Sequence, residues 1–200
     1  MITAVMVGYN KFREFTLPAI RSIQEHDPKI RIICVDNGSE PKYLQVEGVT
    51  MIRAEKENSS YASGINRGLM FESDWYLILN NDILFHRPVS PQIKALDPNY
   101  LYACEKQKAC TILPVGDRLI SWAMVLSAQA FREIGYFDEN FIPMWYDDVD
   151  YSWRAMKVGY SLIEIDLGIE HLERPRQARN KQNIEKMNLN YEYLKGKYGF

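Results

Sequence analysis

The chain has 200 residues, 46% hydrophobic and 25% charged, with a formal net charge of −2. That size and balance suit one soluble globular domain with a sizeable core. No apolar stretch approaches the ~18–20 residues of a membrane span, and the chain does not open on a basic segment followed by an apolar run and a cleavage site. Three cysteines, Cys34, Cys104 and Cys110, cannot all pair and lack metal-ligand spacing, so a reducing cytoplasm is expected. Residues 174–200 hold seven Lys and Arg against two Glu, a local excess of +5 that leaves −7 for the rest. Such a tail reads as a solvated basic helix or as a segment closing over an anionic ligand. Thirteen Tyr and four Trp suit either a core or a sugar- or base-binding cleft.

Met1–Gly8 predicts a short buried strand. Phe12–His26 follows with helical spacing, Phe15, Ala19, Ile20 and Ile23 forming one apolar face. Ile30–Val35 is a second strand, ending in "DNGS", and Val49–Ala54 a third. Ser60–Phe71 predicts a helix with Ile65, Leu69 and Met70 inward, and Trp75–Leu79 a fourth strand that runs into Asn80, Asn81 and Asp82. Alternating strands and helices predict a mostly parallel sheet with helices on both faces. Ligands of such sheets bind beyond the carboxyl ends of the strands. "GYN", "DNGS" and "NND" fall at such ends. Each alone is good turn chemistry; together they would meet on one edge.

The second half is less regular. Ser121–Leu126 predicts a strand, Ala128–Ile134 a short helix with Gly135 as its cap, and Asp147–Val158 a helix ending at Gly159. Tyr160–Asp166 predicts a strand that "GIEH" extends or follows, and Asn180–Tyr198 a final helix. No internal repeat or linker marks a second domain. Residues 1–200 therefore divide into a nucleotide-binding half (1–85), an acceptor-side half (86–173) and a basic tail (174–200).

Asp147, Asp148 and Asp150 sit where a helix N-terminus stabilises carboxylates by its dipole and free N–H groups. Asp147, Asp150 and Arg154 share a face, and Asp150 can pair with Arg154 at i+4. Asp148 lies about 100° away in helical angle and has no such partner, which makes it the better general-base candidate. Asp82 is the only carboxylate of "NND". A hard divalent cation takes one or two protein carboxylates and draws other ligands from phosphate. His171, after the last strand, is a candidate further ligand or a structural histidine. The chain has no G-x-G-x-x-G after its first strand, no P-loop and no G-x-S-x-G elbow.

"VMVGYNKF", "VDNGSE", "ENSSYASGINRGL", "LNNDILF", "FREIGYFDENFIPMWYDDVDYSWRAMKVGY" and "IEHLER" occur in an order that resembles family 2 glycosyltransferases of the GT-A fold, most of all a rhamnosyltransferase-like branch. The resemblance covers nearly the whole chain and is least evident over Ala103–Ile120. It implies a Rossmann-like, mostly parallel sheet flanked by helices with a smaller antiparallel acceptor-side portion. It further implies inverting, metal-dependent transfer of a sugar from a nucleoside-diphosphate sugar, UDP- or dTDP-linked, to a hydroxyl of a glycan or glycolipid. A nucleic-acid acceptor is a less favoured alternative, as is a non-catalytic nucleotide-sugar or carbohydrate-binding module. Cytoplasmic location, or a peripheral one at the membrane surface, goes with that activity.

By the same resemblance, Tyr9 and Asn10 would border the nucleobase and Asp36 would hydrogen-bond it. Asn66 and Arg67 would lie near the diphosphate or ribose, and Asn81 near the ribose. Asp82 would hold Mn²⁺ or Mg²⁺ with His171 completing the site. Asp148 would be the catalytic base beside Asp147, which stands where Glu is commoner. Arg174, Arg176 and Arg179 would help offset charge on the leaving diphosphate. Three positions depart from the family pattern: Asn80 replaces the first Asp of D-x-D, Ser60 stands for a usual Gly, and Trp122 stands for a small residue.

Overall fold

The first strand lies inside the sheet. β1 (Ile2–Gly8) carries no charge and every residue of it is buried. It pairs in parallel with β2 (Arg31–Asp36) on one side and β4 (Trp75–Asn80) on the other, and β3 (Val49–Arg53) extends the parallel set beyond β2. The computed structural model describes residues 1–54, 59–108, 116–172 and 181–200. Beyond β4 the direction changes. β9 (Ala123–Ser127) runs antiparallel to β4 and to β6 (Tyr100–Ala103), and β10 (Ser161–Glu164) lies parallel to β6. These form a seven-stranded sheet ordered β10-β6-β9-β4-β1-β2-β3. Two small antiparallel ladders join β5 (Ile83–Phe85) to β11 (Ile169–His171), and β7 (Lys106–Gln107) to β8 (Arg118–Leu119). The mostly parallel α/β architecture with a smaller antiparallel portion is the one expected.

Helices cover both faces. α1 (Leu17–His26) and α3 (Ser90–Lys94) bury Ile20, Ile23 and Ile93 against Met6, Ile32 and Leu79. α2 (Tyr61–Leu69), α4 (Ala128–Ile134) and α5 (Asp147–Lys157) bury Ile65, Ala130 and Tyr151 against Val5, Ile78 and Met124. α6 (Lys181–Tyr198) packs on α5 through Leu194, Phe141 and Val149. None of the described helices is long and apolar enough to cross a membrane.

Several boundaries differ from expectation for identifiable reasons. A π-helical turn, Phe12–Thr16, precedes α1, whose first turn contains Pro18, so the predicted continuous helix begins as a wider coil. α2 stops at Leu69, which leaves Met70 72% exposed rather than inward. Ser60 is the N-cap of α2, its Oγ accepting from Ser63 N at 3.0 Å, so the hydroxyl satisfies an N–H that Gly would leave open. β5 and β6 were not anticipated: β5 is too short for a period to show, and β6 follows a proline-punctuated stretch.

α2 lies unusually close to β1. A Cβ on Gly64 would fall 2.5 Å from Val7 Cγ1, and one on Gly68 would fall 2.2 Å from Val5 Cγ1. Those valine methyls are stiff and fully packed, so helix and strand approach only because position 68 lacks a side chain. Gly68→Ala should therefore lower stability by about 1–3 kcal/mol. Gly196→Ala, in α6 with nothing within 4 Å of the added methyl, should raise it by about 0.5–1 kcal/mol. Urea unfolding of both variants against the parent measures the difference; equal midpoints for the two would refute the close-packing account.

Candidate active site

At the carboxyl end of β4 the chain bends through Asn81 and Asp82 into β5. β11 pairs with β5 so that His171 lies opposite Ile83, and Leu172 N donates to Asp82 O at 2.8 Å. That ladder sets His171 Nε2 3.2 Å from Asp82 Oδ1 and 3.4 Å from Asn80 Nδ2. The indole of Trp122 stacks on the imidazole, ring centroids 4.9 Å apart and planes 4° off parallel. Trp122 is held in turn by Nε1 donating to Glu105 Oε2 at 3.0 Å. The indole of Trp122 thus supplies a wall that orients His171.

The second half of the site is the N-terminus of α5. Trp145 and Tyr146, with φ of 79° and 68°, are both left-handed, a costly conformation for bulky residues. Asn190 Nδ2 of α6 braces this turn, donating to Met144 O at 2.8 Å. Asp150 is wholly structural: it is fully buried, with Oδ2 accepting from Arg154 Nε at 2.9 Å and Oδ1 from Lys197 Nζ and Tyr198 OH at 2.5 Å each. The predicted Asp150–Arg154 pair is present. Within the basic tail, Lys197 is docked rather than solvated, since it also bonds Asp138 at 2.6 Å.

Asp147 and Asp148 differ from it. Asp147 is buried and its Oδ2 has no hydrogen-bond partner among the described residues. Burial, then the neighbouring Asp148 charge, raises its pKa. Asp148 is half-buried. Burial raises its pKa too, partly offset by the Arg118 guanidinium and by N–H groups of Val149 and Ser121. Val149 N donates to Asp148 Oδ1 at 2.8 Å.

One residue ties the two halves together. Tyr61, at the first position of α2, donates its backbone N–H to Pro143 O at 2.7 Å, and its hydroxyl lies 3.4 Å from Ser121 O. Burial raises the pKa of this phenol well above its ordinary value, and the charges of Asp147, Asp82 and Asp148 raise it further. The charges of two predicted aspartates, Asp82 and Asp148, 66 residues apart in number, thus both act on one buried phenol. Tyr61, Arg118 and Ser121 escaped the sequence reading as site residues. Tyr61 had a signal, an aromatic residue opening a helix at the sheet's ligand edge, whereas Arg118 falls in the least recognisable stretch.

The remaining candidates separate into two groups. Asn10 is left-handed (φ 57°), donates its backbone N–H to Ser39 Oγ at 2.8 Å and accepts from Glu40 N at Oδ1, 3.0 Å, so it joins the β1 and β2 ends beside the half-buried Tyr9. Asp36 Oδ1 accepts from Ser39 N at 2.7 Å, and its Oδ2 from Tyr43 N at 3.1 Å and Arg53 Nη1 at 2.6 Å. Burial opposes its charge, but these donors outweigh burial and lower its pKa. Asn81 Nδ2 donates to Thr16 Oγ1 at 2.9 Å. A Cβ at Gly8 would lie 2.5 Å from Tyr43 Oη and 3.0 Å from Asn81 Nδ2, so this glycine lets the three strand ends close together.

Asn66 and Arg67 lie elsewhere. The Asn66 amide is taken by Phe137 N and O, both at 2.9 Å, and by Glu139 Oε1 at 2.8 Å. Both residues line a separate groove with Met70 and Tyr136, not the cleft that His171 lines. Arg174, Arg176, Arg179 and Cys110 lie outside the described residues.

Asp82 and His171 fit a divalent cation that draws most of its ligands from elsewhere. No group of three or more His, Cys, Asp and Glu suited to a metal occurs among the described residues. An all-protein zinc site is thus not built there, whereas one carboxylate and one imidazole beside an open edge suit Mg²⁺ or Mn²⁺ bound together with phosphate oxygens.

The fold itself has known counterparts. The chain is similar to solved structures of S. aureus TarS: at TM-score 0.62 and 12% identity over 100% of this chain and 44% of that one, and at 0.60 and 12% over 84% of this chain and 59% of TarS 1–349. A third, TarS 1–349 in complex with UDP, matches at TM-score 0.60 and 12% identity over 100% of this chain and 72% of that one. This chain thus spans about half the length of the first of these proteins. No family model and no curated protein sequence matches it.

The electrostatics give a sign-defined prediction. A carboxyl whose pKa is raised on folding binds more protons in the native state, so stability falls as pH rises from about 4 through the folded value. Asp147→Asn removes that penalty without changing shape. The variant should be more stable than the parent at pH 8 by about 1–3 kcal/mol, the gap closing toward pH 4. Urea midpoints at pH 4, 6 and 8 test this; a constant gap across pH would show that the charge is not responsible.

Proposed function

We propose that this chain is an inverting, metal-dependent glycosyltransferase of family 2, with a rhamnosyltransferase-like motif set, that moves a sugar from a nucleoside-diphosphate sugar to a hydroxyl acceptor. The observation that carries this reading is Asp82, held beside His171 at the carboxyl end of β4, acting through its charge together with Asp147 and Asp148 of α5 on the one buried phenol of Tyr61. The likeness in fold to a protein solved with UDP supports a uridine nucleotide in the donor.

In this reading Asp82 and His171 would hold Mn²⁺ or Mg²⁺, which would supply positive charge to offset the negative charge on the departing diphosphate. Asn10, Asp36 and Asn81 belong to the rim formed by the β1 and β2 ends, where the nucleoside lies along Tyr9. Asp148 accepts the proton of the acceptor hydroxyl. The freed electron pair on oxygen forms a bond to the anomeric carbon as the bond from that carbon to the diphosphate oxygen breaks on the opposite face. One displacement inverts the anomeric centre. Arg118 and the Ser121 and Val149 N–H groups favour the ionised form of Asp148 that this role needs.

Two variants separate binding from chemistry. UDP with Mn²⁺ should raise the unfolding midpoint of the parent and of Asp148→Asn by mass action, but not that of Asp82→Asn. Asp148→Asn should lower transfer by about 10²–10⁴-fold, read as UDP release from UDP- and dTDP-sugars with and without added acceptor. Full transfer by Asp148→Asn removes the assigned base. Donor binding by the parent with no turnover or hydrolysis would instead make the chain a binding module.

A further inference from the structure

A cavity of about 560 Å³ opens beside the reaction centre, between the ends of β6, β9, β10 and β11. Its volume is in the range of small-molecule sites, ~300–1,000 Å³. One wall is Trp122 and His171, the rings already stacked next to Asp82. Trp122 also follows Ser121, whose N–H reaches Asp148, so the cavity is walled by His171, which touches Asp82, and by the residue next to the one that touches Asp148. The rest of the wall includes four carboxylates, Glu105, Glu164, Asp166 and Glu170, and no Lys or Arg among the described residues.

The four acids are not equivalent. Asp166 is paired with Arg87 at 3.2 Å and Glu170 with His86 at 2.9 Å. Among the described residues, the partners of Glu105 and Glu164 carry no charge. Glu105 accepts from Trp122 Nε1 and from Gln107 Nε2 at 3.1 Å, and Glu164 from the backbone N–H of Lys106 at 2.8 Å. The ammonium of Lys106 is spent on Asp117 at 3.1 Å. A carboxylate has about four lone-pair sites, so both acids keep acceptor capacity toward the cavity. Cys104, also in the wall, has its thiol pKa pushed up to about 11 by burial and is chemically quiet.

Resting on the transferase reading above, we propose that this cavity is the acceptor subsite and that it takes a hydroxyl-rich ring bearing no negative charge. Its hydroxyl or ammonium groups donate to Glu105 and Glu164 while its C–H surface lies along the Trp122 wall. The same two acids repel carboxylated or phosphorylated acceptors, a nucleic-acid backbone among them.

Ligand-observed NMR on the full chain, with UDP and Mn²⁺ present, tests this using three rings that differ in charge: methyl α-glucopyranoside, glucosamine and glucuronic acid. The first two should bind and compete with each other, and glucuronic acid should bind about tenfold more weakly, the size of one close, partly screened repulsion. Glu164→Lys should bring glucuronic acid to parity or above, Glu164→Gln should narrow the gap, and neither should alter the UDP-induced shift in unfolding midpoint. Glucuronic acid binding as well as the neutral ring in the parent, a ranking unmoved by Glu164→Lys, or no ring binding would each overturn the subsite. Loss of the UDP shift in the parent would instead count against the donor reading, since the ranking of rings is scored without it.

Discussion

The site depends on a ladder of three residue pairs. β5 and β11 have no other strand neighbours, yet their register sets His171 opposite Ile83 and so beside Asp82. A slip of one residue would turn the imidazole to the other face of the ladder and leave Asp82 without its nearest nitrogen. Trp122 guards against that slip from outside the ladder. It follows from the antiparallel insertion of β9 next to β4, where Asn80 N donates to Trp122 O at 2.9 Å. The direction change within the sheet is therefore what brings the end of β4, the last short strand and Trp122 to one point.

Around that point the protein tolerates charge that it neutralises elsewhere. Asp36, at the end of β2, is surrounded by three donors and its pKa is lowered. Asp150, one turn from the site, has three partners of its own. Asp147 and Asp148 sit on the same helix with fewer donors and raised pKa values. Two left-handed bulky residues aim that helix, and the contacts of Asp150 and Met144 with α6 hold it in place. Strain and like charge are concentrated at one edge, and the restraint comes from α6 and from buried networks outside it.

The sequence made the first half legible because its periods are strong. β1, β2 and β4 are uninterrupted apolar runs, α1 carries its stripe at 19, 20 and 23, and the polar breaks mark the sheet's ligand edge. Helical angle made the Asp150–Arg154 pair of α5 legible, whereas singling out Asp148 from Asp147 drew on the motif resemblance, since neither has a cation at i+4. Tertiary contacts explain what was not legible. Asn66 follows Ile65 on a helix that heads to the site, but its amide is captured by the turn at Phe137, a contact 71 residues away. Tyr61 matters because it bonds Pro143 and Ser121 and lies in the field of three aspartates, and no local pattern announces such a placement. The cavity beside Trp122 collects residues from four segments between 104 and 171.

Adjacent aspartates at a helix start would share a fate if environment did not separate them. Asp147 faces inward, has an oxygen without a partner among the described residues and lies in the field of its neighbour. Asp148 faces the half-open side, where Arg118 and two backbone N–H groups favour its charge. When the pair takes up one proton, the physics of desolvation puts it on Asp147. That assignment leaves Asp148 ionised over a wider range of pH than an isolated buried aspartate pair would allow. It also turns Asp147 from a competing charge into a neutral neighbour, with an O–H to donate. Division of one proton between two carboxylates by their surroundings keeps one acid ionised in a fold whose other buried acids are held by donors.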